Sequence, residues 1–132
     1  MQDRASLWVL KTKPFARFAR KAGISDTDLW ETACAVSAGA IDADLGGGVI
    51  KQRIARAGQG KSGGFRSIIL FRRRQREVFV YGFDKKDRAN IDAKELEGFR
   101  ELADVILSYS EDTLERLVKG GALGRIEKPM EV

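Results

Sequence analysis

A chain of 132 residues, with 43% hydrophobic and 33% charged residues, is long enough for one real hydrophobic core but not for two. No apolar run approaches the roughly 18 residues of a membrane span, and Met1-Gln2-Asp3-Arg4 leads into only about four consecutive apolar residues, too few for a secretory signal. One cysteine, Cys34, and no histidine exclude an internal disulfide, a cysteine zinc cage, a His-ligated metal and a Ser-His-Asp triad. Together these features lead to the expectation of a cytoplasmic protein with no cofactor.

In chain order, Leu7-Trp8-Val9-Leu10 reads as a strand. Pro14 suits a first helical turn, and Phe15, Phe18, Ala19 and Ala22 follow at helical spacing up to Gly23. Ser25 is the expected N-cap of a second helix, with Asp26 and Asp28 in its first turn. Its apolar stripe is Leu29, Ala33, Val36 and Ala40, and Cys34 is expected as a small core residue. Gly46-Gly47-Gly48 breaks the chain before three strands. Residues 49–55 alternate, with Val49, Lys51 and Arg53 on one face and Ile50, Gln52 and Ile54 on the other. Phe65–Phe71 is apolar on both faces and therefore central. Arg72-Arg73-Arg74-Gln75 makes a hairpin into Glu77–Phe83, and these consecutive strands are expected to pair antiparallel. Leu96, Phe99, Leu102, Ala103, Ile106 and Leu107 form the stripe of an amphipathic helix. Ser110 caps a last helix through Leu114, Leu117 and Val118, stopped by Gly120-Gly121. The order β-α-α-β-β-β-α-α predicts an α+β fold, a mostly antiparallel four-stranded sheet with its helices on one side.

The net charge of +5 is unevenly distributed. From Gly48 to Asn90 there are twelve Lys or Arg against three acids, while the flanks hold twelve basic and sixteen acidic residues. That segment therefore carries +9 against −4 elsewhere, a concentrated positive field that favours a polyanion such as RNA or DNA.

Two motifs are set aside. Gly60-Lys61-Ser62 is not a P-loop, because position 55 is Ala and Gly63-Gly64 leads into a strand rather than a helix. Asp42 and Asp44 read as a turn with local Asx hydrogen bonds in preference to a cation site. What remains is a set of cations. If the strands pair in order, Lys51, Arg53, Arg66, Lys61, Lys85, Lys86 and Arg88 converge on one concavity. Such a site can break RNA without metal or histidine, since the nucleophile is the substrate's own 2′-hydroxyl, already beside the scissile phosphate. Arginine neutralises charge building on the phosphorane, and a lysine crowded by other cations serves as base or acid. A passive RNA-binding face would use the same residues.

Three segments carry a family resemblance. Lys51-Gln52-Arg53-Ile54-Ala55-Arg56, Gly58-Gln59-Gly60-Lys61-Ser62-Gly63-Gly64-Phe65-Arg66 and Val80-Tyr81-Gly82-Phe83-Asp84-Lys85-Lys86-Asp87-Arg88-Ala89-Asn90-Ile91 resemble the RelE/HigB toxins of bacterial type II toxin–antitoxin systems. The resemblance covers residues 7–108, the expected core of a single RelE-like domain over 1–132, with 109–132 as a C-terminal helical extension. It implies a curved antiparallel sheet with an N-terminal helical hairpin, and a metal-independent, ribosome-dependent endoribonuclease that cuts messenger RNA in the A site. It places a candidate base and phosphate ligand at Lys51 and Arg53, and a transition-state stabiliser at Arg66. The basic residue beyond the last strand falls on Lys86, with Lys85 and Arg88 as alternatives. Arg56, Lys61, Lys85 and Arg88 become candidate RNA contacts, and Tyr81 or Phe83 candidate stacking groups. Where some members carry a late Tyr this chain has Ile91 and Asp92, and it lacks the histidines of other members. A neutralising antitoxin, of helix-turn-helix kind, is also implied, covering either the basic face, where its acidic residues could mask Arg66, or the helices. Two rival readings stay open: a ParE-like gyrase poison, and an RNA-binding regulator without catalysis.

Overall fold

The computed structural model describes residues 7–54 and 64–130. They form β1 (Trp8–Thr12), α1 (Lys13–Ala22), α2 (Asp26–Ser37), β2 (Ala43–Gly46), β3 (Val49–Arg53), β4 (Phe65–Arg72), β5 (Arg76–Asp84), α3 (Ala93–Ile106), α4 (Glu111–Lys119) and β6 (Leu123–Arg125). The α+β class holds, but the sheet has six strands, not four, in the order β2-β3-β4-β5-β1-β6. β1 runs parallel to β5, and every other neighbouring pair is antiparallel. The two unforeseen strands are the short edges. β2 contains the Asp44 and Gly46 that read as a turn and alternates over only four residues, and β6 is three residues long with Gly124 at its centre, so neither is long enough to stand out as a strand.

The helices also lie on both faces of the sheet, which corrects the one-sided expectation. Phe15, Ala19, Leu29, Ala33 and Val36 of α1 and α2 pack with Val9, Ile50, Ile69 and Phe79. Ala103, Ile106, Leu107 and Leu114 of the α3–α4 region pack with Leu10, Val49, Ile68, Leu70 and Val78. Because Ile68, Ile69 and Leu70 are all fully buried, β4 needs cover on both sides, and its apolar run already implied this.

Local signals set the helix ends. Thr12 accepts the Phe15 N–H ahead of α1, and Gly23 closes α1 in the left-handed region at φ 73°. Ser25 and Asp28 form a capping box on α2, as do Asp92 and Glu95 on α3. Ser110 caps α4. Three apolar assignments fail in detail: α2 ends at Ser37, leaving Ala40 outside it and exposed, Cys34 is exposed rather than core, and Leu102 is exposed on α3.

One irregularity in β5 governs what its two faces carry. The β4–β5 register pairs Ile68 with Tyr81 and Ile69 with Phe79, so Val80 is an extra residue, a β-bulge. Val78 and Val80 both pack on the α3 side, and the phase of the strand then reverses. Tyr81 and Phe83 pack on the α3 side too, while Gly82 turns toward α1, where a Cβ would stand 2.2 Å from the Phe18 ring.

β5 also buries a carboxyl group. Glu77 is fully buried; its Oε2 accepts the Ser37 hydroxyl at 2.6 Å, and its Oε1 has no partner among the described residues. Burial pushes this carboxyl from 4.5 up to about 7, with the Ser37 hydrogen bond pulling partly back. Between those values the folded chain holds a proton that the unfolded chain has released, so stability falls as pH rises from 4.5 to about 7 and then levels off. Glu77→Gln is expected to remove that slope. Thermal melts should show the variant more stable than the parent at pH 8, by up to about 3 kcal/mol, with the gap closing toward pH 5.

Candidate functional site

The sheet places the predicted cations in cross-strand rows. Arg53 of β3 lies directly opposite Arg66 of β4, and Arg66 directly opposite Phe83 of β5. One step along, Lys51 faces Ile68, and Ile68 faces Tyr81. Ile68 and Phe83 belong to the core on the α3 side, so both rows lie on that face. Paired residues in such rows sit roughly 5 Å apart at Cβ, so the Arg53 and Arg66 side chains leave the sheet as neighbours. Arg66 has a single long hydrogen bond, to the Phe65 carbonyl at 3.4 Å, and no acidic partner among the described residues. Arg53 is steadied by Asp42, whose Oδ2 accepts the Arg53 backbone N–H at 2.7 Å and stands 3.6 Å from its Nε. Lys51 is half-buried and carries no ion pair among the described residues.

The turn after β5 brings further cations to the same end of the sheet. The Lys85 N–H donates to the carbonyl of Gly64, the residue just before β4, at 2.7 Å. Asp84 organises the turn: its Oδ1 accepts the Lys86 N–H, and its carbonyl accepts the N–H groups of Asp87 and Arg88. Lys85 and Lys86 are exposed, and no ion pair engages either among the described residues.

Arg88 plays a different part. Its two terminal nitrogens grip both oxygens of Glu95 at 2.9 and 2.6 Å, one also donates to the Tyr81 hydroxyl at 3.0 Å, and Nε donates to the Asn90 carbonyl at 3.0 Å. Its guanidinium carbon lies 5.8 and 5.9 Å from the ring centroids of Tyr81 and Phe83. Tyr81 in turn packs 5.9 Å from Phe99 of α3. Arg88 thus forms a wall of the site, with its donors committed within the chain. The grip of Arg88 holds the Glu95 carboxyl down at about 2, and Glu95 holds the Arg88 guanidinium above its usual range.

Of the sequence-derived candidates, Lys51, Arg53, Arg66, Tyr81 and Phe83 share one sheet face, and Lys85 and Lys86 flank it. Arg56 and Lys61 lie outside the described residues. Asp42, Glu95 and Phe99 were not singled out as site residues. The Asp-x-x-Glu spacing of Asp92 and Glu95 was the available sign for Glu95, while nothing local marks Asp42 as the neighbour of Arg53. Of the two aspartates read as a turn, Asp44 makes the expected local hydrogen bond, its Oδ1 accepting the Gly46 N–H at 2.9 Å, although it lies in β2, while Asp42 reaches Arg53 on the neighbouring strand. Among the described residues no group of three or more His, Cys, Asp or Glu side chains is placed to hold a metal ion, and no helix is long and apolar enough to cross a membrane.

A family model described as the RelE toxin of the RelE/RelB toxin–antitoxin system matches residues 7–126. The chain belongs to the RelE toxin family. No match to a curated protein reaches significance. Membership makes the chain a RelE toxin of a type II toxin–antitoxin system and implies a cognate antitoxin of RelB type. The matched span takes in α4 and β6 as well as the part of the chain that carries the resemblance.

The Arg88–Glu95 pair gives a test of how this RelE toxin holds its site wall. Because the folded pKa of Glu95 is depressed, the contribution of the pair is complete above 4.5 and lost as pH falls through about 2. Glu95→Gln should therefore speed amide hydrogen exchange across residues 84–90 at neutral pH. In the parent chain, protection there should hold down to 4.5 and decay only below it.

Proposed function

We propose that this RelE toxin is a metal-independent endoribonuclease that enters the ribosomal A site in the cytoplasm and cuts messenger RNA by attack of the 2′-hydroxyl. The observation that carries the proposal is the direct cross-strand pairing of Arg53 with Arg66. Two like charges in that position weaken a sheet, and the cost is recovered when a phosphate sits between them. Planar guanidinium forks suit the non-bridging oxygens of a phosphate, and their attraction grows as charge accumulates in the phosphorane.

The reaction needs two proton movements. Lys51, on the same face, takes the proton from the 2′-hydroxyl as its oxygen bonds to phosphorus. The bond from phosphorus to the 5′-oxygen breaks, and a lysine of the 84–88 turn protonates the leaving oxygen. Lys86 is first in that role, with Lys85 beside it. The products are a 2′,3′-cyclic phosphate and a free 5′-hydroxyl. Half-buried Tyr81 offers the ring face on which a base of the bound codon stacks, whereas Phe83, the other stacking candidate of the sequence, is buried in the α3-side core; Arg56 and Lys61 add contacts along the RNA. Arg88 supports this surface from within. A helix-turn-helix antitoxin would silence the site by laying acidic residues over Arg66.

The test is cleavage of a message on a programmed ribosome, mapped by primer extension, with free RNA and chelator controls. Cuts confined to ribosome-bound message and insensitive to chelator are expected. Arg66→Ala should lower the rate roughly 10²–10³-fold while leaving the melting temperature near that of the parent. Intact message beside a translating ribosome would contradict the proposal and turn attention to gyrase inhibition or passive RNA binding.

A further inference from the structure

The basic segment does not end at the site. The β4–β5 hairpin carries four arginines in five positions, Arg72, Arg73, Arg74 and Arg76. Along β4, Arg66 and Arg72 are six residues apart, roughly 20 Å at about 3.3 Å per residue, so the hairpin tip lies at the far end of the sheet. Its arginines fall into two kinds. Arg76 is buried and donates to the carbonyls of Ile106 and Leu107 at 3.2 Å, and Arg72 donates to the Leu107 carbonyl at 2.6 Å. Those two donate to carbonyls at the C-terminal end of α3 and complement its dipole. Arg73 and Arg74 do neither; both are exposed, and among the described residues neither has a hydrogen bond or ion pair.

Arg74 is moreover the single described non-glycine residue at positive φ, 66°. It is the third residue of a turn closed by the Gln75 N–H on the Arg72 carbonyl at 2.9 Å. Glycine fits that backbone without the Cβ clash that an arginine meets, and asparagine offsets the clash with local hydrogen bonds that an arginine does not make. The fold thus carries a strained side chain whose charge it does not use, a combination that points to a ligand.

We infer that Arg73 and Arg74 form a second phosphate contact, which docks the hairpin tip on the backbone of structured RNA about 20 Å from the cleavage site. The inference rests on the proposed ribosomal function and names a surface of the particle's own RNA, not of the message, as the occupant. The composition of the tip separates RNA from an acidic polypeptide. Arg72, Arg73, Arg74 and Gln75 are all exposed and include no apolar anchor. Protein interfaces draw their energy from buried aromatic and aliphatic anchors, whereas phosphate contacts draw it from charge and counterion release alone.

The experiment measures binding of the toxin to purified ribosomes across a salt series, for the parent chain, Arg73→Ala, Arg74→Gly and the control Arg17→Ala, which removes an exposed charge from α1. Arg74→Gly should melt at the same temperature as the parent or a few degrees higher, since it relieves the strained backbone, yet bind ribosomes more weakly. Each hairpin variant should reduce the slope of log affinity against log salt by about 0.7–0.9, and the pair together should weaken binding roughly tenfold at physiological salt. Arg17→Ala should leave the slope unchanged. Hairpin variants that match the parent or the control, while the parent cuts message on ribosomes, overturn this inference alone. Variants that keep ribosome affinity but lose antitoxin affinity overturn it in favour of an acidic polypeptide. A parent chain that binds ribosomes without cutting contradicts the nuclease proposal and leaves the slopes to decide the docking contact. A parent chain with no ribosome affinity overturns both.

Discussion

The extra residue in β5 decides which chemistry the sheet presents. Without the bulge at Val80, regular alternation would put Tyr81 and Phe83 on the α1 side and Gly82 on the α3 side. With it, two consecutive residues pack toward α3, and the aromatic rings join the face that carries Arg53, Arg66 and Lys51. The same shift points the residue between the rings at Phe18, and glycine is the residue that lets that ring approach. A closely packed helix on one face and an aromatic, cationic surface on the other are therefore two results of one register change.

Charge on that surface is sorted rather than merely accumulated. Arg72 and Arg76 hold the C-terminal end of α3, and Arg88 with Glu95 holds its N-terminal end, so three arginines are spent on docking one helix. Arg53 is partly steadied by Asp42. Lys51, Arg66, Lys85, Lys86, Arg73 and Arg74 have no acidic partner among the described residues. The residues in this second group are ones a polyanion would meet, and all but Lys51, which lies on the neighbouring β3, sit at the two ends of the β4–β5 hairpin. A sheet braced by helices on both faces is rigid enough to keep like charges together, which an isolated hairpin would relax by moving apart.

Much of this was legible in the sequence. The caps at Ser25 and Ser110, the stop at Gly23 and the two-sided burial of β4 followed from residue chemistry that acts over a few positions. So did the common face of Lys51 and Arg53, which needs only a strand's alternation. Other features depend on partners distant in the chain. β2 and β6 are short edges that owe their strand form to β3 and β1, and four and three residues are too few for a pattern to stand out. The two-sided helical cover was implied by Ile68-Ile69-Leu70, but the assignment of α1 and α2 to one face and α3 and α4 to the other was not. A bulge leaves no mark in the hydrophobic pattern of Val78-Phe79-Val80, so the face taken by Tyr81 and Phe83 required the register. Arg88 looked like its neighbours Lys85 and Lys86, yet the fork of Glu95 separates it from them.

The central claim is that Arg53 and Arg66 receive the scissile phosphate from adjacent strands. The most direct measurement is a structure of the toxin on a ribosome whose message carries a 2′-deoxy nucleotide at the cut site, which binds but cannot attack. The account predicts the phosphate within hydrogen-bond distance of both guanidinium groups, Lys51 facing the missing 2′-oxygen and a base against Tyr81. A message phosphate seated elsewhere, with Arg53 and Arg66 facing solvent or ribosomal RNA, would contradict it.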